Sequence, residues 1–493
     1  MVGYAGCGAA GGVNRLGVAM SGAVEQILAA DIRLGGADKD VWPLTRSERT
    51  WSAWQLFITM VTAGAATWCY MIGEYAGYYL NFQHAFAALT AGAMLGMMLA
   101  TIAAVPICVR FGIDSIAGTK PQFGTRGWAL PAGLQFLSIL GWNSLLVIFF
   151  GKSAAQFLVA VGVIGEGQAA LVVPAATILA CTLIFLVLLR GTSGVDRIAK
   201  ILVAHVFIGL WMLYLIVTHH WHDLTTATPA YAAPNPLWNL TTGVELGIST
   251  SLSWWPYMGA MVRMAPGGPR VALPSMLGLG AAVALLCLIG IAGILVLQND
   301  DPANWLRTIG GPVYAVIGLF FVTAANLGTS VTGTYCSAIG LRHYKLFSKL
   351  PWPVLLVLTI APVAVVGVTV PDLFFNSFGT FLAFIGVTFA PLCGIQIADY
   401  FVLRRGHISI RGIFDTSGTG PYAYWWGFNP AALAGMVAGF GTYIYLLNPL
   451  TYVSHEPYEY TTASLPTLLV GGAVYALLTK LLVMRSKHGG YKT

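Results

Sequence analysis

All but two of the 25 lysines and arginines in this 493-residue chain lie in alternate gaps between long apolar segments; only Lys152 and Arg307 fall in the gaps between. Basic residues keep short loops on the cytoplasmic side of a membrane, so this alternation is what a chain that crosses a bilayer repeatedly produces. Composition agrees. The chain is 57% hydrophobic and 9% charged, with a mean hydropathy of +0.75, whereas a soluble protein carries roughly 25% charged residues.

A helix needs about 20 apolar residues to cross the hydrocarbon. Twelve such stretches are readable, near 51–73, 84–109, 128–150, 169–189, 198–218, 240–262, 272–297, 312–338, 352–370, 373–402, 428–448 and 463–484. The inside gaps hold Arg15, Arg33, Lys39, Arg46 and Arg49; Arg110, Lys120 and Arg126; Arg190, Arg197 and Lys200. Later ones hold Arg263 and Arg270; Arg342, Lys345 and Lys349; Arg404, Arg405 and Arg411; and Lys480, Arg485, Lys487 and Lys492. The expectation is a multi-pass protein of the plasma or inner membrane with both termini cytoplasmic. Its net charge of +7 is spread over these loops, which would meet anionic lipid headgroups and form no nucleic-acid face.

Six of the seven cysteines, Cys69, Cys108, Cys181, Cys287, Cys336 and Cys393, lie in or at the ends of apolar segments without paired spacing. They read as small buried hydrophobes. Gly6-x-Gly8-x-x-Gly11 has the letters of a dinucleotide fingerprint but follows no strand, so no organic cofactor is expected. No continuous apolar core marks a cleavable signal in residues 1–50, which read as a cytoplasmic tail.

Backbone polar groups must be satisfied in lipid, so helices interrupted at mid-membrane depth usually line a cavity. Two segments look interrupted. The first runs Thr62-Ala-Gly-Ala-Ala-Thr67-Trp68, and the sixth runs Gly247-Ile-Ser-Thr-Ser251-Leu-Ser253-Trp254-Trp-Pro256. Small residues weaken the first helix; hydroxyls and a proline weaken the sixth. These segments open two successive blocks of five, and breaks at matching positions of two halves point to a transporter's central site. Residues 51–218 and 219–405 would form inverted repeats, with two helices appended over 406–485 and a short tail at 486–493.

The eighth segment carries Asn326, Thr329, Ser330, Gly333, Thr334 and Ser337 at helical spacing, a polar and small stripe along one face. Such a face turns inward. Asn326, Thr329 and Ser330, with carbonyls near Thr62 and Ala66 on the opened first helix, would supply five neutral oxygens, a set suited to Na⁺. The alternative is interhelical hydrogen bonding by the same residues.

At the end of the tenth segment stands Pro391-Leu-Cys-Gly394-Ile395-Gln-Ile397-Ala398-Asp399-Tyr400-Phe401-Val-Leu-Arg404-Arg405. It resembles a hallmark of the nucleobase:cation symporter-1 family, which includes cytosine, purine, allantoin and hydantoin permeases. Gly141-Trp142, Val262-Arg263 and Asn326-x-x-Thr329-Ser330 extend the resemblance over most of residues 45–485. It implies an all-α fold of twelve helices, the five-plus-five inverted repeat of the leucine-transporter type plus two C-terminal helices. It also implies a sodium site on Asn326, Thr329, Ser330 and the helix carbonyls, and a planar heterocycle held between aromatic rings.

Trp142 would be one face of that sandwich, with Thr67, Trp68, Ser251, Ser253, Trp254 and Tyr335 as further substrate contacts. Asp399 would act structurally beside Arg404 and Arg405. The chain departs from the family at Ile139, Leu146 and Ala260, where glutamine-type and aspartate groups stand in relatives, which implies a less polar ring, a vitamin precursor or another small nitrogen-containing metabolite.

The expectation is therefore Na⁺-coupled symport of a small nitrogen heterocycle by alternating access, with no obligatory protein partner. The alternatives are proton coupling through Glu74 or Glu245, for a vitamin precursor or other metabolite, and a receptor that does not transport. No nucleophile, base or metal cluster stands out within the spans, so an enzyme is not expected. His219, His220 and His222 crowd one outer loop, and Asn239-Leu-Thr241 has the letters of a glycosylation sequon. Lys152 and Arg307 read as ordinary surface charges first and as candidate outer-gate residues second.

Overall fold

A computed structural model of the chain describes residues 41–491 except 203, 269, 270, 299–301 and 416. The glycine motif near the amino terminus, Arg15, Arg33, Lys39, Arg270, Asp300, Asp301, Lys492 and the side chain of Arg307 lie outside the described residues.

Each apolar stretch is helical. The first is split into α1 (Ala53–Gly64) and α2 (Trp68–Tyr79); then come α3 (Phe82–Phe111), α4 (Ala129–Ala160), α5 (Ala169–Leu188), α6 (Thr192–Leu202) and α7 (Ala204–His219). The sixth stretch is split into α8 (Pro236–Leu252) and α9 (Trp255–Val262), followed by α10 (Ala272–Leu297), α11 (Pro302–Arg342), α12 (Trp352–Thr369) and α13 (Phe378–Ile397). The last two are α14 (Pro430–Leu446) and α15 (Ser464–Leu478). The starts follow from local chemistry. Ser52 and Asn81 accept from the N–H groups of Gln55 and His84, and Asn235 and Asn429 do the same ahead of prolines at the first helical position.

Among the described residues there is no strand. Eight helices among these described residues are long and apolar enough to span a bilayer, or nine with α1 and α2 taken as one bent span. The sequence expectation of twelve crossings also includes stretches whose helices are shorter or interrupted, such as Pro430–Leu446. Each helix satisfies its own backbone, and apolar side chains over this length are covered only within a membrane or a large core.

Two bundles share the pocket described below. In one, α10 packs on α1, α2 and α3, while α8 and α9 run along α3. Small residues allow that closeness: a Cβ on Gly73 would lie 1.9 Å from the Cys287 carbonyl oxygen, and one on Gly290 would lie 1.8 Å from that of Tyr70. In the other, α4 packs along α11, with α5 and α12 against both. Helices α13, α14 and α15 form a third group beside α8.

The third group is tied to α8 by Glu245. Its buried carboxylate accepts from Tyr443 Oη at 2.9 Å, Ser464 Oγ at 2.6 Å, and the backbone N–H of Ala463 at 3.1 Å and Ser464 at 2.9 Å. An anion at the start of α15 is well placed against the exposed N–H groups and helix dipole. The six apolar-segment cysteines are free and buried, as the sequence indicates.

Candidate functional site

The first span is interrupted at Ala65–Thr67. Ala65 leaves helical geometry (φ −100°, ψ 86°), and α2 departs from α1 by 57°. Facing this break is the polar stripe of α11, whose Asn326, Thr329, Ser330, Thr334 and Ser337 are all buried. Thr329 donates its hydroxyl to the Ala63 carbonyl at 2.8 Å, and Asn326 Oδ1 accepts from the Thr67 N–H at 3.3 Å and from the Thr67 hydroxyl. Ser330 Oγ is buried with no partner among the described residues. Neutral oxygens thus converge where backbone carbonyls have lost their helical donors, an arrangement able to hold a desolvated monovalent cation.

The facing carbonyl is that of Ala63, one residue beyond Thr62. Ala66 remains at the break, but its carbonyl accepts from the Cys69 N–H at 3.0 Å.

The second interruption is slighter than expected. Ser253 and Trp254 keep right-handed dihedrals (φ −61°, ψ −13° and φ −82°, ψ −10°), and their N–H groups still bond to Ser249 and Ser251. It is a tightened turn, with Pro256 in the first turn of α9.

Between the two breaks lies a tight pocket lined by Trp68, Trp142, Ser253, Trp254, Tyr257 and Thr329. Trp68 meets Trp142 edge-on with ring centroids 5.4 Å apart, and Trp254 at a tilt, 5.8 Å away; Trp254 and Tyr257 lie 4.7 Å apart. Phe378 and Phe381 from α13 abut the far side of Trp142 at 5.6 and 5.4 Å. Apolar ring faces and few hydroxyls suit a flat, neutral, polar ring.

Thr67 stands beside this pocket on Asn326. Ser251 does not reach it: its hydroxyl bonds to the Ala93 carbonyl of α3 at 2.9 Å, where Gly96 leaves room. Tyr335 is also elsewhere. Nine residues beyond Asn326, it sits about 13 Å further along α11, where its hydroxyl accepts from Arg263 and its ring meets Trp352.

Three neighbours went unread in the sequence. Tyr257 shares a face with Trp254 at i+3, Ala63 contributes only backbone, and Asn143 next to Trp142 donates to Thr334 Oγ1 at 3.0 Å. A polar residue in an otherwise apolar stretch was the available signal for Asn143.

The face carrying the basic loops holds two further clusters. Asp114, in the connection after α3, accepts from His343 Nε2 at 2.8 Å and from the Ala117 N–H at 2.8 Å. Burial pushes its carboxyl up, but His343, Arg263 and the Ala117 N–H outweigh that and hold it at about 2. Burial, with Lys120 and Arg263 nearby, keeps His343 below the ordinary histidine value despite Asp114, so it donates as a neutral ring. Burial likewise lowers Lys120 to about 8, with Asp114 opposing the shift.

The second cluster is the Asp399 motif. Asp399 pairs with Arg404 at 2.7 Å and accepts from Gln122, Tyr475 and Tyr491, while Arg404 also donates to the Pro121 and Gly489 carbonyls. Arg405 is exposed and takes no part in that pair. The motif binds loops and the chain's end together, well away from the pocket.

Among the described residues no group of three metal-ligating side chains occurs; His220 pairs with Asp223 at 3.2 Å. Asn239 is buried and bonded through its amide to both backbone groups of Ala233, which removes the sequon from access.

A multi-pass helical bundle with a break-lined aromatic pocket defines a membrane transporter of the broken-helix class. A family model described as permease for cytosine/purines, uracil, thiamine and allantoin matches residues 43–457, and the chain belongs to that family. It is similar to a hydantoin permease of Microbacterium maritypicum, 30% identical over 166 residues, 34% of this chain and 33% of that permease. It is also similar to a purine-uracil permease, NCS1, of Arabidopsis thaliana, 22% identical over 89% of this chain and 77% of the relative.

In fold it matches Mhp1, a nucleobase-cation-symport-1 family transporter solved closed with bromovinylhydantoin bound. The TM-score is 0.73 at 18% identity, over 91% of this chain and 95% of that one. A Na⁺-coupled sialic acid symporter matches at TM-score 0.58 and 12% identity, over 93% and 95%. The expected all-α, leucine-transporter-like fold and the expected family are both met.

Proposed function

We propose that this permease is a secondary active symporter that takes up a small nitrogen heterocycle together with Na⁺. One observation carries the reading: Thr329 belongs to both parts of the site. Its hydroxyl bonds to the Ala63 carbonyl at the helix break, and the same residue lines the aromatic pocket. A cation drawn to that break would take the Thr329 and Ser330 hydroxyls and the freed carbonyls as ligands, fixing α1 and α2 against α11. The substrate would then meet an ordered wall, so each would bind better in the presence of the other.

One Na⁺ entering down 100 mV supplies about 2.3 kcal/mol. A tenfold gradient adds about 1.4 kcal/mol, together enough for a several-hundredfold accumulation.

Substrate would lie between Trp142 and Trp254, with Ser253 and Tyr257 at its edge and Thr67 at the rim. A rocking of the α4–α11 bundle against the α3–α10 bundle would expose the pocket to either side. Proton drive through Glu245 is disfavoured, because both of its oxygens already accept hydrogen bonds that anchor α15.

The test is thermal unfolding of the purified protein with hydantoin, uracil, cytosine, allantoin and hypoxanthine, each in NaCl and in choline chloride. A ligand that stabilises in sodium and not in choline supports the reading; stabilisation indifferent to the cation refutes it.

A further inference from the structure

We propose that His343 and Asp114 form an inner latch that is released when His343 takes up a proton, so that a falling pH on the basic-loop side opens the pocket toward that side. This rests on the transport reading above and goes beyond it by adding a control on the opening step.

The latch closes a seam that starts at the pocket. Thr329, Cys336 and His343 follow one another at intervals of seven along α11 and the residue after it, which keeps them within about 40° of one face over about 21 Å. Helix α9 lies against that face. Tyr257 packs on Gly333, where an added Cβ would lie 3.2 Å from its ring, and Cys336 donates its thiol to the Tyr257 carbonyl at 3.9 Å. Arg263, directly after α9, reaches Tyr335.

Asp114 belongs to the α9 side of this seam. Its neighbour Ser115 donates to the Trp255 carbonyl at 2.9 Å and accepts from the Gly259 N–H at 3.0 Å. Gly259 permits that approach, since a Cβ there would lie 2.1 Å from the Ser115 nitrogen. The connection after α3 is therefore fixed to α9, whereas His343 is carried by α11. Their 2.8 Å contact, with side chains 4% and 2% exposed, joins the two bundles out of reach of water.

The charges around the ring set its response to pH. Asp114 and Lys120 come from the connection and Arg263 from the end of α9. Cys108 of α3 and Cys336 belong to the same cluster, the Trp128 ring stands 5.8 Å away, and Arg342 turns to the Ser348 carbonyl. A protonated ring would gain attraction to Asp114, yet it would be a third cation enclosed with two others. Burial and those two cations prevail, which keeps the ring neutral while the latch is closed.

Opened to water, the ring regains the ordinary value of 6.5. The open state thus binds the proton and gains population as pH falls below about 6.5, by a factor approaching about tenfold between pH 7.5 and 5.5. Asp114, held at about 2, stays ionised throughout, and Lys120, at about 8, is already mostly charged, so neither competes with this response.

Cys336 reports the opening, because it lies in the seam at 1% exposure. Purified protein in detergent, without substrate, is treated with dithiodipyridine at pH 7.5 and 5.5, and the rate at each cysteine is read by peptide mass spectrometry. The ratio of rates between wild type and His343→Gln cancels the thiol's own pH dependence. At Cys336 that ratio should rise about five- to tenfold on acidification, while at Cys393, buried in α13 of the third helix group, it should stay within about twofold. Asp114→Asn should label faster than wild type at Cys336 already at pH 7.5.

An unchanged ratio at Cys336, or an equal rise at Cys393, overturns the proposal. If His343→Gln fails to fold, Asp114→Asn carries the test, because labelling of its Cys336 at pH 7.5 no faster than in wild type equally overturns the latch. The assay uses no substrate and no gradient, so its failure strikes the latch alone, whereas the sodium test above strikes the transport reading.

Discussion

Replacing Thr329 by Val removes the hydroxyl that the account assigns to Na⁺ while keeping the side chain's shape. Two effects separate. In sodium-free solution the variant loses one buried hydrogen bond, to the Ala63 carbonyl at 2.8 Å, which costs about 0.5–1.5 kcal/mol and leaves an acceptor unsatisfied. In sodium it also lacks a ligand. At a Na⁺ concentration about 100 times the wild-type Kd, binding stabilises the fold by about 2.7 kcal/mol. A variant binding about tenfold more weakly would gain only about 1.4 kcal/mol from the same salt.

Thermal unfolding across a NaCl series, balanced with choline chloride to constant ionic strength, reads both. The intercept should drop by the hydrogen-bond cost, and the sodium-dependent rise should shift to higher concentration by about tenfold. An unchanged sodium dependence, whatever the intercept does, would refute the assignment of Thr329 as a cation ligand.

Other consequences follow from the anchors. Glu245→Gln should lower unfolding stability by about 1–3 kcal/mol, because the amide cannot accept all the donors around it; the sodium dependence of uptake should persist, and its loss would revive a coupling role for this carboxylate. Arg404→Ala should cost about 3–5 kcal/mol by leaving Asp399 buried without its cation, seen as poor yield and a lowered melting temperature. For His343, the folded value lies below the unfolded 6.5, so the unfolded chain binds the extra proton and stability falls as pH drops below about 6.5. Melting between pH 7.5 and 5.5 should therefore decline less steeply in His343→Gln than in wild type.

Much of this was legible in the residues. Alternating basic gaps and apolar length sufficed to place the helices, since a closed barrel, the other conformation that satisfies the backbone in lipid, uses strands of about 10 residues, not about 20. The stripe from Asn326 to Ser337 announced an inward face because polarity at helical spacing has few other uses in a membrane. The break around Gly64 falls at Ala65–Thr67.

What stayed hidden depended on the backbone or on helix length. Ala63 offers a carbonyl and so leaves no mark in composition, which is why Thr62 stood in its place. Tyr335 lies half a turn round the helix from Asn326 and about 13 Å along the axis, so one small ligand cannot meet both. Ser251 reads as pocket-facing until Gly96 is seen to admit it against α3. Trp68, flagged only as a contact, packs against both Trp142 and Trp254, and only the fold shows that.

Sodium coupling is tested most directly by uptake into liposomes that contain the purified protein. Radiolabelled hydantoin or uracil is supplied under an imposed inward Na⁺ gradient, with an imposed proton gradient in choline as the comparison. Concentrative uptake with Na⁺ is expected, collapsing when the gradient is dissipated. Accumulation driven by protons in the absence of sodium would contradict it.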